Sequence, residues 1–278
     1  MKLQLRPYQE QGVADIRAQF AAGEKSVLYV LPTGGGKTVT YSHIAEQAGL
    51  RGNRVLILEH RKELIRQASL ALGGLGVRHG IVAPADKIAD IRRAHVETHG
   101  QPFVHHGANV AVASVQTLGR RMNWLREFDP ALIIIDEAHH AVAGTWARIL
   151  DASPRSRFLG VTATPVRTDG QGLGDVFQAM VLGPSMADLI DAGALVPPKI
   201  YGFPVKADLS KVHMRGGDYN AKELAEALDT PTILGDAVEH YRKLAHRRPA
   251  IVFCASIRHA EHTAQAFRAA GYSFHVIK

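Results

Sequence analysis

Short apolar runs alternate with amphipathic stretches along most of the chain. The runs Val27–Leu31, Val55–Glu59, Val110–Ser114, Leu132–Ile135 and Phe158–Thr162 are rich in Val, Ile and Leu and are four to six residues long. Apolar residues at successive positions, rather than at every second one, predict strands of a parallel sheet covered on both faces. Between the runs, Thr38–Ala48, Arg61–Leu72 and Ala141–Leu150 carry helical patterns. In the second of these Leu64, Ile65, Ala68 and Leu72 recur at helical spacing. This βαβ rhythm predicts an α/β fold, a doubly wound parallel sheet with right-handed crossovers.

The rhythm changes near Gly193. Leu195-Val196-Pro197-Pro198 reads as a stiff linker, because paired prolines disfavour both helix and central strand. A first domain is therefore expected over residues 1–194, and a linker with the beginning of a second over 195–278. Within the latter, Lys199–Val205 reads as a strand, Leu209–Tyr219 as a loop, and Ala221–Leu228 and Ile233–Ala245 as helices. Ala250–Ala255, Ile257–Ala270 and Tyr272–Ile277 follow as strand, helix and strand, the last interrupted at Lys278.

Composition narrows the class. The 278 residues suffice for one large or two medium domains. Lys and Arg number 33 against 26 Asp and Glu, a net charge of +7, and the sequence pI is about 9.6. This excess suits a polyanionic partner, although solubility alone would also account for it. The single cysteine, Cys254, excludes an internal disulfide and a cysteine-based zinc cluster. It lies in an apolar run and is expected to be buried. The N-terminus lacks the apolar region of a signal peptide, and no stretch approaches the ~20 apolar residues of a membrane span. The expectation is a soluble, cytoplasmic protein with no membrane partner. Of the 15 histidines, only His60 and His139 stand in informative positions.

Three motifs carry chemistry. The run Val27–Leu31 leads directly into Pro32-Thr33-Gly34-Gly35-Gly36-Lys37-Thr38, with a helix following. Strand, glycine-rich loop and helix form the setting of a phosphate-binding loop. Thr33 and the glycines Gly34, Gly35 and Gly36 let backbone N–H groups face phosphate oxygens, and the helix N-terminus adds its dipole. Lys37 is expected to reach the β- and γ-phosphates of ATP, and the Thr38 hydroxyl to coordinate Mg²⁺. An ordinary glycine turn before a surface lysine is the alternative, and the strand–helix setting argues against it. About a hundred residues later Asp136-Glu137-Ala138-His139 closes the run Leu132–Ile135. The carboxyl end of a parallel strand is where such sheets bind ligands. Asp136 is expected to hold Mg²⁺ and Glu137 to polarise the attacking water. Two adjacent carboxylates repel one another unless a cation is present. Thr162-Ala163-Thr164-Pro165 is the third motif.

In this order the motifs resemble those of superfamily 2 helicases and translocases of the DEAH-box type, over nearly the whole chain. The general phosphate-loop pattern has glycine at the position of Leu31, and the shortened form seen here is typical of helicase-like motors. The resemblance implies a RecA-like P-loop NTPase domain followed by the beginning of a second RecA-like domain, with ATP and Mg²⁺ as cofactors. Arg6-Pro7-Tyr8-Gln9 is similar to the family's adenine-reading motif: Gln9 would bond the base edge, with Tyr8 or Arg6 packed beside it. Glu59-His60-Arg61-Lys62-Glu63-Leu64 resembles its first nucleic-acid motif, implying His60 and Arg61 as contacts. Ala113-Ser114-Val115-Gln116-Thr117-Leu118 resembles a second, implying Ser114, Gln116 and Thr117 at the sugar–phosphate backbone. For both segments a capped helix start is the plainer alternative. Gly160–Pro165 with Val166-Arg167-Thr168-Asp169-Gly170 resembles the coupling motif of repair helicases and restriction-enzyme motor subunits. There Thr162 and Thr164 would bond toward Asp136 and His139. Ile251–Ser256 is similar to the first motif of the second motor domain, implying a backbone contact from Ser256.

The family's Gln-x-x-Gly-Arg-x-x-Arg pattern is absent from the sequence. Arginine fingers contribute ~10³–10⁵ in rate in related NTPases. They are therefore expected from a missing C-terminal segment or another chain, and turnover by these residues alone is expected to be impaired. The reading is an ATP-dependent DNA helicase or translocase that binds single- or double-stranded DNA largely without sequence preference, RNA remaining open. Its alternatives are an ATP- and nucleic-acid-binding module without efficient turnover, and a P-loop ATPase acting on a protein.

Overall fold

The computed structural model describes residues 4–277 apart from 141–143, 167–171, 203–206, 211 and 216–217. It divides into two compact units, Met1–Pro198 and Lys199–Lys278.

The first unit begins with helix α1 (Pro7–Ala21), which the sequence pattern did not announce. It continues through β1 (Ser26–Val30), α2 (Lys37–Leu50), β2 (Val55–Glu59), α3 (Lys62–Gly74), β3 (His79–Val82), α4 (Ala85–His99) and β4 (Val110–Ser114). Two short helices, α5 (Val115–Leu118) and α6 (Met122–Phe128), precede β5 (Leu132–Asp136), a 3-10 turn (Ala138–His140) and α7 (Thr145–Asp151). Then come β6 (Arg157–Thr162), β7 (Ala179–Leu182) and α8 (Met186–Asp191). All five predicted strands form, within a residue of their expected bounds. Of the predicted helix Ala141–Leu150, residues 141–143 lie outside the described residues and the remainder is α7.

Seven strands pair in the order β3-β4-β2-β5-β6-β1-β7, every pair parallel. Alternate residues of each strand feed opposite faces. Val27, Tyr29, Val55, Ile57, Ile134 and Val161 pack with Ile16 and Phe20 of α1, Tyr41 and Ile44 of α2, and Ile65 and Leu72 of α3. Leu28, Leu56, Leu58, Ile133 and Ile135 pack with Leu118, Leu125, Trp146 and Ile149. Burial on both faces explains why these strands read as continuous apolar runs.

The edge strand β3 and helix α4 meet α3 through a buried polar network. Ser69 Oγ lies 2.7 Å from His79 Nε2 and 2.8 Å from His95 Nε2, and His79 Nδ1 lies 2.8 Å from the Val77 carbonyl. His79 must donate from Nδ1, so its Nε2 accepts from Ser69, which in turn accepts from His95 Nε2–H. Both rings are then neutral, and His95 Nδ1 is buried with no partner in this network. Burial pulls His79 down from 6.5 to about 4. A lowered histidine stabilises the fold fully above its unfolded value, and that stability is lost as pH falls toward 4. Urea unfolding at successive pH values should therefore show a loss of stability between pH 6.5 and 4 to which His79 contributes about 3 kcal/mol, with His95, lowered by burial to about 4 as well, adding to it. A His79→Leu variant should lack the His79 component. An identical pH profile for the two proteins would remove His79 as a source.

In the second unit a two-stranded antiparallel ribbon, β8 (Met214–Arg215) and β9 (Asp218–Tyr219), lies where a loop was expected. Helices α9 (Ala221–Leu228), α10 (Pro231–Ala245) and α11 (Ile257–Ala269) follow. Asn220, Thr230 and Ser256 cap them with their side-chain oxygens. The expected strands Ala250–Ala255 and Tyr272–Ile277 join no ladder, and Lys199–Gly202 is not a strand either. Residues 203–205 of that prediction lie outside the described residues. An apolar run becomes a strand only where a neighbour supplies hydrogen bonds, and Ile251, Phe253 and Ile277 are 81%, 92% and 95% exposed. Cys254 is half-buried rather than buried, 3.5 Å from the Thr263 hydroxyl.

Candidate nucleotide and nucleic-acid site

Parallel register brings the motifs to one edge. Val30 pairs with Thr162, Val161 with Asp136, Ile135 with Leu58, and Glu59 with Ser114. The carboxyl ends of β1, β6, β5, β2 and β4 therefore stand side by side, each carrying one of the motifs.

The phosphate loop turns between β1 and α2. Gly34 and Gly36 have φ of 82° and 89°, and Gly36 is the residue before the first turn of α2. A side chain at Gly36 would be strained and would collide with the Gln9 amide. The loop is braced from α1. Tyr8 Oη donates to the Gly35 carbonyl at 2.9 Å and Gln9 Nε2 to the same oxygen at 3.1 Å. Gln9 Oε1 accepts the Arg6 N–H at 2.9 Å, and Arg6 Nη1 reaches the Ala194 carbonyl at 3.3 Å. The expected adenine-reading residues thus also hold the loop. Thr33 is exposed on it, and Thr38 is half-buried in the first turn of α2. Lys37 Nζ donates to the Leu31 carbonyl at 3.3 Å.

Asp136 ends β5 with 6% exposure. Its Oδ1 accepts the Glu137 N–H at 2.9 Å. Burial, and also the Glu137 charge, raise the Asp136 carboxyl above its ordinary range, while that N–H, Lys37 and Tyr41 oppose the shift. Glu137 has φ of 50°, a conformation costing roughly 1–2 kcal/mol for a residue with a side chain. Glu137 Oε2 lies 3.4 Å from His139 Nδ1. The same nitrogen lies 3.1 Å from Thr162 Oγ1. Thr162 Oγ1 in turn donates to the Thr164 carbonyl at 2.9 Å and accepts the Thr164 N–H at 3.1 Å. Thr162 therefore joins His139 through its hydroxyl, whereas Thr164 enters through its backbone. A Cβ at Gly160 would collide with the Phe177 ring at 2.3 Å and come within 2.9 Å of Ala138 Cβ. The segment Arg167–Gly170 of the expected coupling motif lies outside the described residues.

The two expected nucleic-acid segments are physically joined. Gln116 Nε2 donates to the His60 carbonyl at 3.0 Å, Ser114 Oγ to Gln116 Oε1 at 2.8 Å, and Thr117 N–H to Ser114 Oγ at 3.4 Å. Arg61 Nε donates to His60 Nε2 at 3.1 Å, and its side chain is exposed. Ser256, in the second unit, caps α11 by accepting the His259 N–H at 3.1 Å.

Tyr41 and Glu59 have no role in the motif reading. Glu59 opens the Glu59–Leu64 motif, in which Arg61 is exposed and His60 half-buried, yet it is fully buried. Burial, then the charge of Asp136, raise it well above the ordinary carboxylate range. The signal was present: Glu59 ends an apolar run just as Asp136 does, and Tyr41 lies one helical turn after Lys37.

The donor set suits magnesium. Thr38 and Asp136 offer hard oxygen ligands, and the raised Asp136 carboxyl sits beside two further carboxylates. Among the described residues no three His, Cys, Asp or Glu side chains form a metal cage.

A seven-stranded parallel sheet with a phosphate loop and an acidic strand end at its carboxyl edge defines a RecA-like motor domain of the superfamily 2 helicase type. The family described as "Type III restriction enzyme, res subunit" (ResIII) matches residues 2–167, and the chain belongs to it. It is 33% identical over 240 residues to a 51.5 kDa protein of a Lactococcus phage, covering 86% of this chain and 46% of the relative. It is 32% identical over 244 residues to the putative ATP-dependent helicase IRC3 of Saccharomyces cerevisiae, covering 82% and 33%. The chain thus spans less than half the length of these relatives. Among solved structures, the type ISP restriction-modification enzyme LlaBIII bound to DNA has the same fold, at a TM-score of 0.58 and 15% identity, over 97% of this chain and 22% of that one.

Proposed function

We propose that the chain is the ATP-binding part of a DNA-directed superfamily 2 motor, taking MgATP at the phosphate loop and the DNA backbone at the ends of β2 and β4. The observation that carries this reading is the row of motif residues along one sheet edge. In this reading the loop N–H groups and Lys37 bind the β- and γ-phosphates, while Gln9, with Tyr8 and Arg6, faces the base. Thr38 and Asp136 hold magnesium, which neutralises phosphate charge when bound. Glu137 orients the attacking water and takes its proton as the bond from the γ-phosphorus to the bridging oxygen breaks. His139, hydrogen-bonded to Thr162, relays the state of Glu137 to β6 and Thr164. Ser256 is a further backbone contact in the second unit.

His60, Arg61, Ser114, Gln116 and Thr117 offer one cation and several short polar groups, a set suited to phosphate and sugar rather than to base edges. Affinity for DNA should accordingly vary little with sequence and fall steeply with salt. Arg61→Ala should weaken binding equally across sequences and reduce the log–log salt slope by about 1. Fluorescence anisotropy with two unrelated oligonucleotides over a salt series measures both. A slope unchanged by the substitution would remove Arg61 from the interface. Absence of any affinity for DNA or RNA at low salt would favour a protein substrate instead.

ATP hydrolysis by the chain, measured with and without DNA, tests the motor reading. A second reading is a module that binds ATP and DNA but turns over slowly. Intact MgATP binding with negligible DNA-stimulated turnover is its signature.

A further inference from the structure

The roles above leave Tyr41 and Glu59 unused, although both are buried beneath the site. Tyr41 is 1% exposed and Glu59 is fully buried. The Tyr41 hydroxyl lies 3.1 Å from Glu59 Oε1 and 3.4 Å from Asp136 Oδ2. One phenolic oxygen on α2, the helix whose first turn carries Thr38, thus touches Asp136, the other residue assigned to magnesium. Its second partner is the residue immediately before His60.

Burying a tyrosine hydroxyl and a carboxylate together is costly unless they are hydrogen-bonded. Glu59 Oε2 has no partner, so Tyr41 supplies its side-chain contact. The aromatic ring, packed in the core between α2 and the sheet, leaves the hydroxyl little freedom. It is a fixed point against which the Asp136 carboxylate can be oriented.

We propose that Tyr41 is a positioning residue for the divalent cation: its hydroxyl, anchored by Glu59, sets the geometry of the Asp136 carboxylate. The proposal rests on the MgATP reading. It gives Glu59 a role distinct from the nucleic-acid contacts of the residues that follow it, and ties the start of α3 to the metal site. Loss of a partner behind a metal ligand typically costs 10–100-fold in metal affinity, whereas a packing residue would affect nucleotide binding with and without metal alike.

The test is Tyr41→Phe, which keeps the ring and removes the hydroxyl. Binding of a fluorescent ADP analogue is titrated over MgCl₂ and, separately, in EDTA, with Mn²⁺ binding to the nucleotide complex followed by electron paramagnetic resonance. The magnesium midpoint and the Mn²⁺ dissociation constant should each rise about ten-fold or more, and affinity in EDTA should stay within about two-fold of the parent. Superimposable magnesium titrations, or an equal loss with and without metal, would overturn the proposal. Should Tyr41→Phe fail to fold, Glu59→Leu tests the other end of the bridge, with the same metal-specific weakening expected and an unchanged midpoint overturning it. A parent protein that binds no nucleotide under either condition would sink the MgATP reading and this inference together. A parent with magnesium-dependent binding that Tyr41→Phe reproduces would sink the inference alone.

Discussion

Lys37→Ala is expected to weaken MgATP binding by at least about thirty-fold, since removing one partner of a hydrogen-bonded charge pair costs ~2–5 kcal/mol. Among the described residues the ammonium group makes one hydrogen bond, to the Leu31 carbonyl at 3.3 Å. Its loss from the ligand-free protein should cost only about 1 kcal/mol of stability. Binding and folding can therefore be separated. Calorimetric titration with MgATP should show the affinity loss, while the parent and the variant melt within a few degrees of each other without ligand. Saturating nucleotide at ~100 times the dissociation constant stabilises a protein by about 2.7 kcal/mol, so at the same nucleotide concentration the rise in melting temperature should fall to about a third or less in Lys37→Ala. An unchanged affinity would mean that the Gly34–Gly36 turn does not hold phosphate.

The sheet and this site were legible in the sequence for the same reason. Strands buried on both faces must be apolar at successive positions, so Leu132–Ile135 and Val55–Leu58 announce themselves, and a polar residue closing such a run marks the carboxyl edge. The edge strands gave no such signal. His79-Gly80 begins β3 with a polar residue that is tolerated only because Ser69 and the Val77 carbonyl satisfy the ring. The exposed Met180 and Leu182 of β7 reflect a strand with one sheet neighbour. Helix α1 was hidden because only its first residues carried a motif, while its buried face, Val13, Ile16 and Phe20, is sparse. In the second unit the apolar runs 250–255 and 272–277 were read as strands, but sequence alone cannot supply the ladder a strand requires. The part of Glu59 was hidden because it adjoins the Arg61 motif in sequence, although it closes β2 in the core while Arg61, beyond the strand, is exposed.

Glu137→Gln should lower the hydrolysis rate by about 10²–10⁴ while leaving MgATP affinity nearly intact, the range expected when a general base is removed. The amide keeps the length and shape of the carboxylate. The backbone cost of φ 50° is paid equally by either residue, since both carry a Cβ. What changes is the capacity to take a proton. Asp136→Asn would be less informative, because Asp136 accepts the Glu137 N–H and contacts Tyr41, so its replacement disturbs metal, turn and bridge at once. Glu137 touches fewer groups, with His139 Nδ1 at 3.4 Å its contact within the motif. Single-turnover hydrolysis measured beside equilibrium binding isolates the chemical step even where the chain turns over slowly. Equal hydrolysis rates in the parent and Glu137→Gln would transfer the water-activating role to another group. Weakened binding with an unchanged single-turnover rate would instead assign Glu137 to ground-state nucleotide contacts.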